Sequence, residues 1–101
     1  MPSPKLSEGE VKAALAELPG WALEGGTLAK TYKHATFPEA IVFVNAVAHL
    51  AELANHHPDV DIRYSTIHVA TTTHDQGGVT EKDVALARSI EEIRRKAGVS
   101  A

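Results

Sequence analysis

The chain contains no cysteine. Disulfides, thiolate nucleophiles and cysteine-ligated zinc or iron–sulfur sites are therefore excluded. Aromatic residues are scarce, at 5% of 101 residues, and there is a single tryptophan. Basic charge is not in excess, because 10 Lys and Arg against 13 Asp and Glu leave a formal charge of −3 with histidines neutral. A surface that neutralises many phosphates needs the opposite balance, so direct nucleic-acid binding is not expected. No apolar stretch of signal-peptide kind follows Met1-Pro2-Ser3-Pro4-Lys5. No run reads as the roughly 18–20 apolar residues of a membrane span. These absences lead to the expectation of a soluble, cytoplasmic protein with no membrane attachment. At this length one domain is expected: a flexible arm over residues 1–5, a single domain over 6–98 and a tail over 99–101.

What is present is a clear sequence of start and stop signals. Ser7 with Glu10 spells a capping box, Leu6 and Val11 suit the hydrophobic staple around it, and Pro19-Gly20 ends the helix. Trp21 and Leu23, a turn at Glu24-Gly25-Gly26, and the alternation of Leu28, Lys30 and Tyr32 predict a hairpin over residues 21–34. Thr36 with Glu39 repeats the capping pattern, and a helix to about Asn55 follows. Its apolar residues nearly encircle it, so it is either the central helix or one whose second face meets another subunit. Val60, Ile62 and Tyr64, then Ile67, Val69 and Thr71, predict two strands joined at Ser65-Thr66. Thr80, with Asp83 three residues on, starts a last helix, with Val79 and Val84 as its staple. Arg94, Arg95 and Lys96 suit that helix's C-terminal end and Gly98 its stop. The order is α-β-β-α-β-β-α. It predicts an α+β domain: a four-stranded antiparallel sheet with three helices packed on one face.

Chemistry is concentrated around Asn55-His56-His57-Pro58. Glu52 lies four residues before His56, which makes the two neighbours if the helix continues that far. A carboxylate beside an imidazole orients it and favours its protonated form. His74 falls where a strand gives way to a loop, and Asp83 sits early in the next helix, where it bonds an imidazole or caps its own backbone. Imidazoles titrate near neutrality and so can accept one proton and donate another. His68 lies opposite the Ile67/Val69 face by parity and is read either as a substrate-touching pocket wall or as a structural residue. A metal site is the competing reading. It is disfavoured because no HExxH run is present and adjacent histidines diverge.

The segment Glu52-Leu53-Ala54-Asn55-His56-His57-Pro58-Asp59, with Tyr64, Thr73-His74-Asp75 and Thr80-Glu81-Lys82-Asp83, resembles the pterin-4a-carbinolamine dehydratase family. Gly20-Trp21 and Thr36-Phe37-Pro38 extend the resemblance to nearly the whole chain. Val60 departs from it, since some members carry an aromatic residue there. The resemblance implies the same element order, no metal and no redox cofactor. It also implies an activity: removal of water from 4a-hydroxytetrahydropterin to give quinonoid dihydropterin. By that likeness the catalytic set is His56, His57, His74, Glu52 and Asp83. His56 and His74 are the principal acid–base groups, and His57 chiefly binds or orients substrate. Thr72 and Thr73 would present backbone groups to the pterin edge, and His68 is carried as a further substrate contact. Glu52 is expected to position His56, and Asp83 to support His74. Protonation of the C4a hydroxyl makes it leave as water, N5 donates electrons, and loss of a ring N–H proton completes the product. Either His56 or His74 supplies the proton and the other assists its removal. Relatives form dimers or tetramers, so a homo-oligomer is expected. Two alternatives are a noncatalytic interaction or assembly factor, and an enzyme acting on a related pterin in molybdopterin metabolism.

Overall fold

The computed structural model describes residues 3–97. Its elements are α1 (Glu8–Leu15), β1 (Ala22–Glu24), β2 (Thr27–Lys33), α2 (Phe37–Ala54), β3 (Asp59–Arg63), β4 (Thr66–Thr71), a 3-10 turn (His74–Gln76) and α3 (Glu81–Ala97). The predicted order is therefore the observed one. Residues 1–2 of the expected arm, the Gly98 stop and the 99–101 tail lie outside the described residues.

Local chemistry explains most boundaries. The Ser7 hydroxyl accepts from Glu10 N–H and the Glu10 carboxylate accepts from Ser7 N–H, which closes the capping box of α1. At α2, Thr36 accepts from Glu39 N–H and Pro38 occupies the first turn. Gly25 and Gly26 both take positive φ, 54° and 81°, the conformation a two-residue hairpin turn demands. Three boundaries differ from expectation. α1 stops at Leu15, and residues 16–20 continue as turns that still deliver Leu18 to the core. Tyr64 belongs to the β3–β4 turn, at φ 53°, and its exposed ring lies parallel to Phe37 with centroids 6.3 Å apart. The arm is anchored near its end: Leu6 N–H donates to Val79 O at 2.9 Å, and the Lys5 side chain runs across Gly78.

The sheet order is β1-β2-β4-β3, with every neighbouring pair antiparallel. Two hairpins are thus joined through β2 and β4, whose register pairs Lys30 with Val69 and Tyr32 with Ile67. Strand parity then sends Leu28, Lys30, Tyr32, Ile67, Val69 and Thr71 to one buried face. All three helices cover that face, contributing Val11 from α1, Phe43 and Val47 from α2, and Val84, Ala87 and Ile90 from α3. α2 is the central helix in this sense, yet Val42 and Leu53 remain 68% and 72% exposed. The sequence reading of its length is corrected here. By length and composition Phe37–Ala54 could cross a bilayer, because no Asp, Glu, Lys or Arg interrupts residues 40–51. In the fold one side of it, Ala40, Phe43, Val47 and Ala51, is buried.

Beneath α3 lies a buried ionic cluster that the pattern of apolar residues conceals. Glu91 Oε2 accepts from Lys30 Nζ at 2.9 Å, from Trp21 Nε1 at 3.2 Å, and from the Tyr32 hydroxyl. Lys30 also donates to Pro19 O at 2.7 Å and lies 4.8 Å from the centre of the Tyr32 ring. Its stem passes so close to Gly20 that a methyl group there would meet Lys30 Cε at 2.7 Å, and Gly20 itself sits at φ 84°. Burial alone would raise the Glu91 pKa. The bonds from Tyr32 and Lys30, the Lys30 charge and the Trp21 bond outweigh it and hold the carboxyl below its ordinary value. Burial and the Glu91 carboxylate push the Tyr32 hydroxyl the other way, upward.

Removing one partner of such a pair strands the other without compensation. Glu91→Ala is expected to cost about 3–5 kcal/mol in urea denaturation. A loss within about 0.5 kcal/mol, as at an ordinary surface position, would contradict this account. Because the folded-state pKa is depressed, the Glu91 contribution is complete above the unfolded value of 4.5 and disappears as pH falls through the lower folded value. The acid limb of the stability curve should accordingly be shallower in the variant.

Candidate active site

The site forms where α2 ends. Asn55 adopts the left-handed conformation, φ 50° and ψ 43°, and its N–H reaches back to the carbonyls of Ala51 and Glu52. His56 N–H closes the turn on Ala51 O at 3.0 Å. This break in helical geometry changes which side chains meet. Helical spacing would have put Glu52 beside His56. Instead the reversed chain brings His57 to Glu52, with Nε2 and Oε2 2.5 Å apart on an exposed surface. His56 turns inward and meets Asp83, its Nε2 lying 2.6 Å from Oδ1. The expected pairings of Glu52 with His56 and of Asp83 with His74 are therefore both replaced.

Asp83 has no solvent exposure. As third residue of α3 its Oδ2 accepts from the capping Thr80 N–H at 2.9 Å, while Val79 and Val84 are buried on either side as the expected staple. Oδ2 also accepts from Thr73 Oγ1 at 2.8 Å, and Oδ1 from Thr71 Oγ1 at 2.6 Å. The donor order is determined by what each hydroxyl has left. Thr73 gives its proton to Asp83, so Thr80 donates to Thr73 over 2.8 Å and accepts from Lys82 N–H at 3.2 Å. Burial by itself would raise the Asp83 pKa. Bonds from Thr71, Thr80 N–H, His56 and Thr73 outweigh it and keep the carboxyl below its ordinary value. An ionised Asp83 can only accept, so His56 carries its proton on Nε2. Its Nδ1 has no hydrogen-bond partner among the described residues, which leaves a lone pair for a ligand.

His56 forms part of the wall of an open cavity of about 400 Å³. His57 and His74 line the same space, together with Thr72 and Thr73. Three polar residues complete the lining: Asn55, Asp75 and Lys82, which the sequence reading quoted within its motifs but gave no role in the site. Asn55 carries the αL reversal, a signal legible in principle because asparagine tolerates that conformation. Thr71 was also missed as a site residue, since its alternation with Ile67 and Val69 marks it only as core-facing. The Thr73 backbone is committed elsewhere: its N–H donates to Gly78 O at 3.0 Å, closing the loop around His74. The Thr73 N–H is therefore not a free donor. His68 lies away from the cavity. Parity places it on the uncovered side of the sheet, where Nδ1 is 2.8 Å from Thr31 Oγ1 and Nε2 is 3.5 Å from Glu24 Oε1. The substrate-contact reading of His68 is thus replaced by a cross-strand structural one. Among the described residues, no group of three or more His, Asp or Glu side chains is arranged to hold a metal ion.

Comparison with known proteins bears on the family and the fold. Residues 4–93 match the family described as pterin 4 alpha carbinolamine dehydratase. A Chloroflexus aurantiacus protein, provisionally named as a pterin-4-alpha-carbinolamine dehydratase, is 56% identical over 90 residues, covering 89% of this chain and 97% of its own. A similarly named protein of Thermomicrobium roseum is 48% identical over 89 residues, covering 88% and 96%. The crystal structure of a transcriptional coactivator/pterin dehydratase from Brucella melitensis superposes with a TM-score of 0.84 at 33% identity, over 88% of this chain and 97% of that one. A pterin dehydratase-like RuBisCO assembly factor of the alpha-carboxysome shares the fold, with a TM-score of 0.62 at 19% identity over 73% and 88%. With the match spanning nearly its full length, the chain belongs to the pterin-4a-carbinolamine dehydratase family.

Proposed function

We propose that this protein removes water from a 4a-hydroxytetrahydropterin, with His56 as general base and His74 as general acid. The observation that carries the proposal is the His56–Asp83 pair at 2.6 Å, with His56 and His74 lining the same cavity. Nδ1 of neutral His56 accepts the ring N–H proton while Asp83 stabilises the imidazolium that forms. Protonated His74 delivers its proton to the C4a hydroxyl, the C–O bond breaks with electrons supplied from N5, and water leaves. The proton gained by His56 and the proton lost by His74 balance, and exchange with solvent resets both. His57, braced by Glu52, holds the substrate edge. No oxidation state changes in this elimination, so the proposal calls for no redox cofactor, and protonation of the hydroxyl by His74 does the work a Lewis-acid metal would otherwise do.

A second reading concerns assembly. The exposed side of α2 carries Val42, Ala48, His49 and Leu53, and no Asp, Glu, Lys or Arg lies between residues 40 and 51. With the His49 imidazole as its one titratable group over that stretch, such a strip offers little for a charged partner to pair with, whereas the same strip on a second copy matches it by two-fold symmetry. We infer that α2 packs on its counterpart in a homo-oligomer.

Turnover of freshly generated 4a-hydroxytetrahydropterin should exceed the spontaneous rate, and EDTA treatment should leave it unchanged. His56→Ala and His74→Ala should each lower kcat by about 10²–10⁴-fold. His57→Ala should act more on KM. A folded wild type that gives no acceleration would overturn the dehydratase reading for this pterin. For the assembly, sedimentation of wild type at micromolar concentration should show an oligomer that Leu53→Glu dissociates. A wild-type monomer would count against the α2 interface.

A further inference from the structure

Position 71 ends a strand whose buried side otherwise reads Ile67 and Val69. Parity alone would install a third aliphatic residue there, and valine has nearly the shape of threonine. The Thr71 hydroxyl is buried, with the residue 1% exposed, and it points at one atom, Oδ1 of Asp83. That same oxygen receives His56 Nε2–H, so two donors converge on it, each at 2.6 Å. Resting on the catalytic reading above, we propose that Thr71 is a positioning residue that sets the proton affinity of His56 by sharing the Asp83 oxygen with it.

The physical basis is competition for one negative charge. Each donor to a carboxylate draws on its charge and leaves less to stabilise a neighbouring cation. With Thr71 in place, Asp83 is well satisfied by Thr71, Thr73 and Thr80 N–H even while His56 is neutral. The imidazolium of His56 is then stabilised less than it would be against a bare carboxylate. Thr71 thus keeps His56 in its neutral, proton-accepting form to lower pH, while holding Oδ1 in line with Nε2. The other titratable groups near the pair come from each element around it: Glu52 and His57 from the end of α2, His74 and Asp75 from the 3-10 turn, and Lys82 from α3. A change confined to the hydroxyl of residue 71 leaves all five in place.

The test is an NMR titration of the His56 imidazole in wild type, Thr71→Val and Thr71→Ser, paired with the pH dependence of kcat/KM. Thr71→Val should raise the His56 pKa by about half a pH unit or more. Because the base works only when neutral, the acid limb of kcat/KM should move to higher pH by the same amount, and activity at pH 6 should fall more than at pH 8. Thr71→Ser, which restores the donor, should return both towards wild type. A Thr71→Val protein whose His56 titrates at the wild-type pH or lower would overturn the proposal and leave Thr71 a packing residue. Wild type supplies a check that requires no variant: the Thr71 hydroxyl proton should be detectable and protected from solvent exchange, and a freely exchanging one would also overturn it. The titration does not depend on turnover. An inactive protein with the expected His56 displacement would reject the dehydratase reading while retaining the role of Thr71.

Discussion

One buried carboxylate organises this molecule. Asp83 is ionised out of reach of solvent, a state that is tolerated only when donors fill its lone pairs. The fold fills them from three separate places: the end of β4 and the residue before the 3-10 turn through Thr71 and Thr73, the cap of α3 through Thr80, and the residue that follows the α2 turn through His56. Each of these elements must be in register for the others to be satisfied. The same bonds that make the carboxylate permissible therefore fix the imidazole, and the geometry of the proposed site is a by-product of satisfying a buried charge.

α3 carries a second such group. Glu91 lies eight residues beyond Asp83, a little over two helical turns, on the side that also buries Val84, Ala87 and Ile90. Its donors come from β2, through Lys30 and Tyr32, and from the segment between α1 and β1, through Trp21. The helix is thus bonded to the sheet at two points, and the ends of that bonded stretch have different fates. Around Glu91 the donors are buried side chains with no access to a ligand. Around Asp83 one donor, His56, lines an open cavity. Access to that cavity, not the type of network, separates the cluster proposed as functional from the structural one.

The helix–turn chemistry was legible because it is local. Ser7 with Glu10, Thr36 with Glu39, and Thr80 with Asp83 all act within one turn of chain. The strands were legible because alternation is a property of neighbouring residues. Their boundaries were less so at α1, which yields to turns after Leu15, and at Tyr64, whose ring leaves the sheet to lie along Phe37. Lys30 in a core-facing register reads as an anomaly until Glu91, 61 residues away, is brought beneath it.

For the site, the sequence by itself picked out histidines and carboxylates that come together near the end of α2, with His56, His57 and His74 lining one cavity. Only the tertiary structure decided how they pair. Spacing along an ideal helix joins Glu52 to His56, but a left-handed Asn55 ends that helix and exchanges the partners, giving Glu52 to His57 and Asp83 to His56. Parity alone could not say whether His68 meets a ligand. Pairing with Thr31 and Asp61 across the uncovered face did. Thr71 gained its part for the same reason: a hydroxyl among core aliphatics acquires meaning only when packing sets a buried carboxylate 2.6 Å away. Residue identity fixes which groups can exchange protons, whereas distance and burial fix which of them do, and those quantities exist only once the chain has folded.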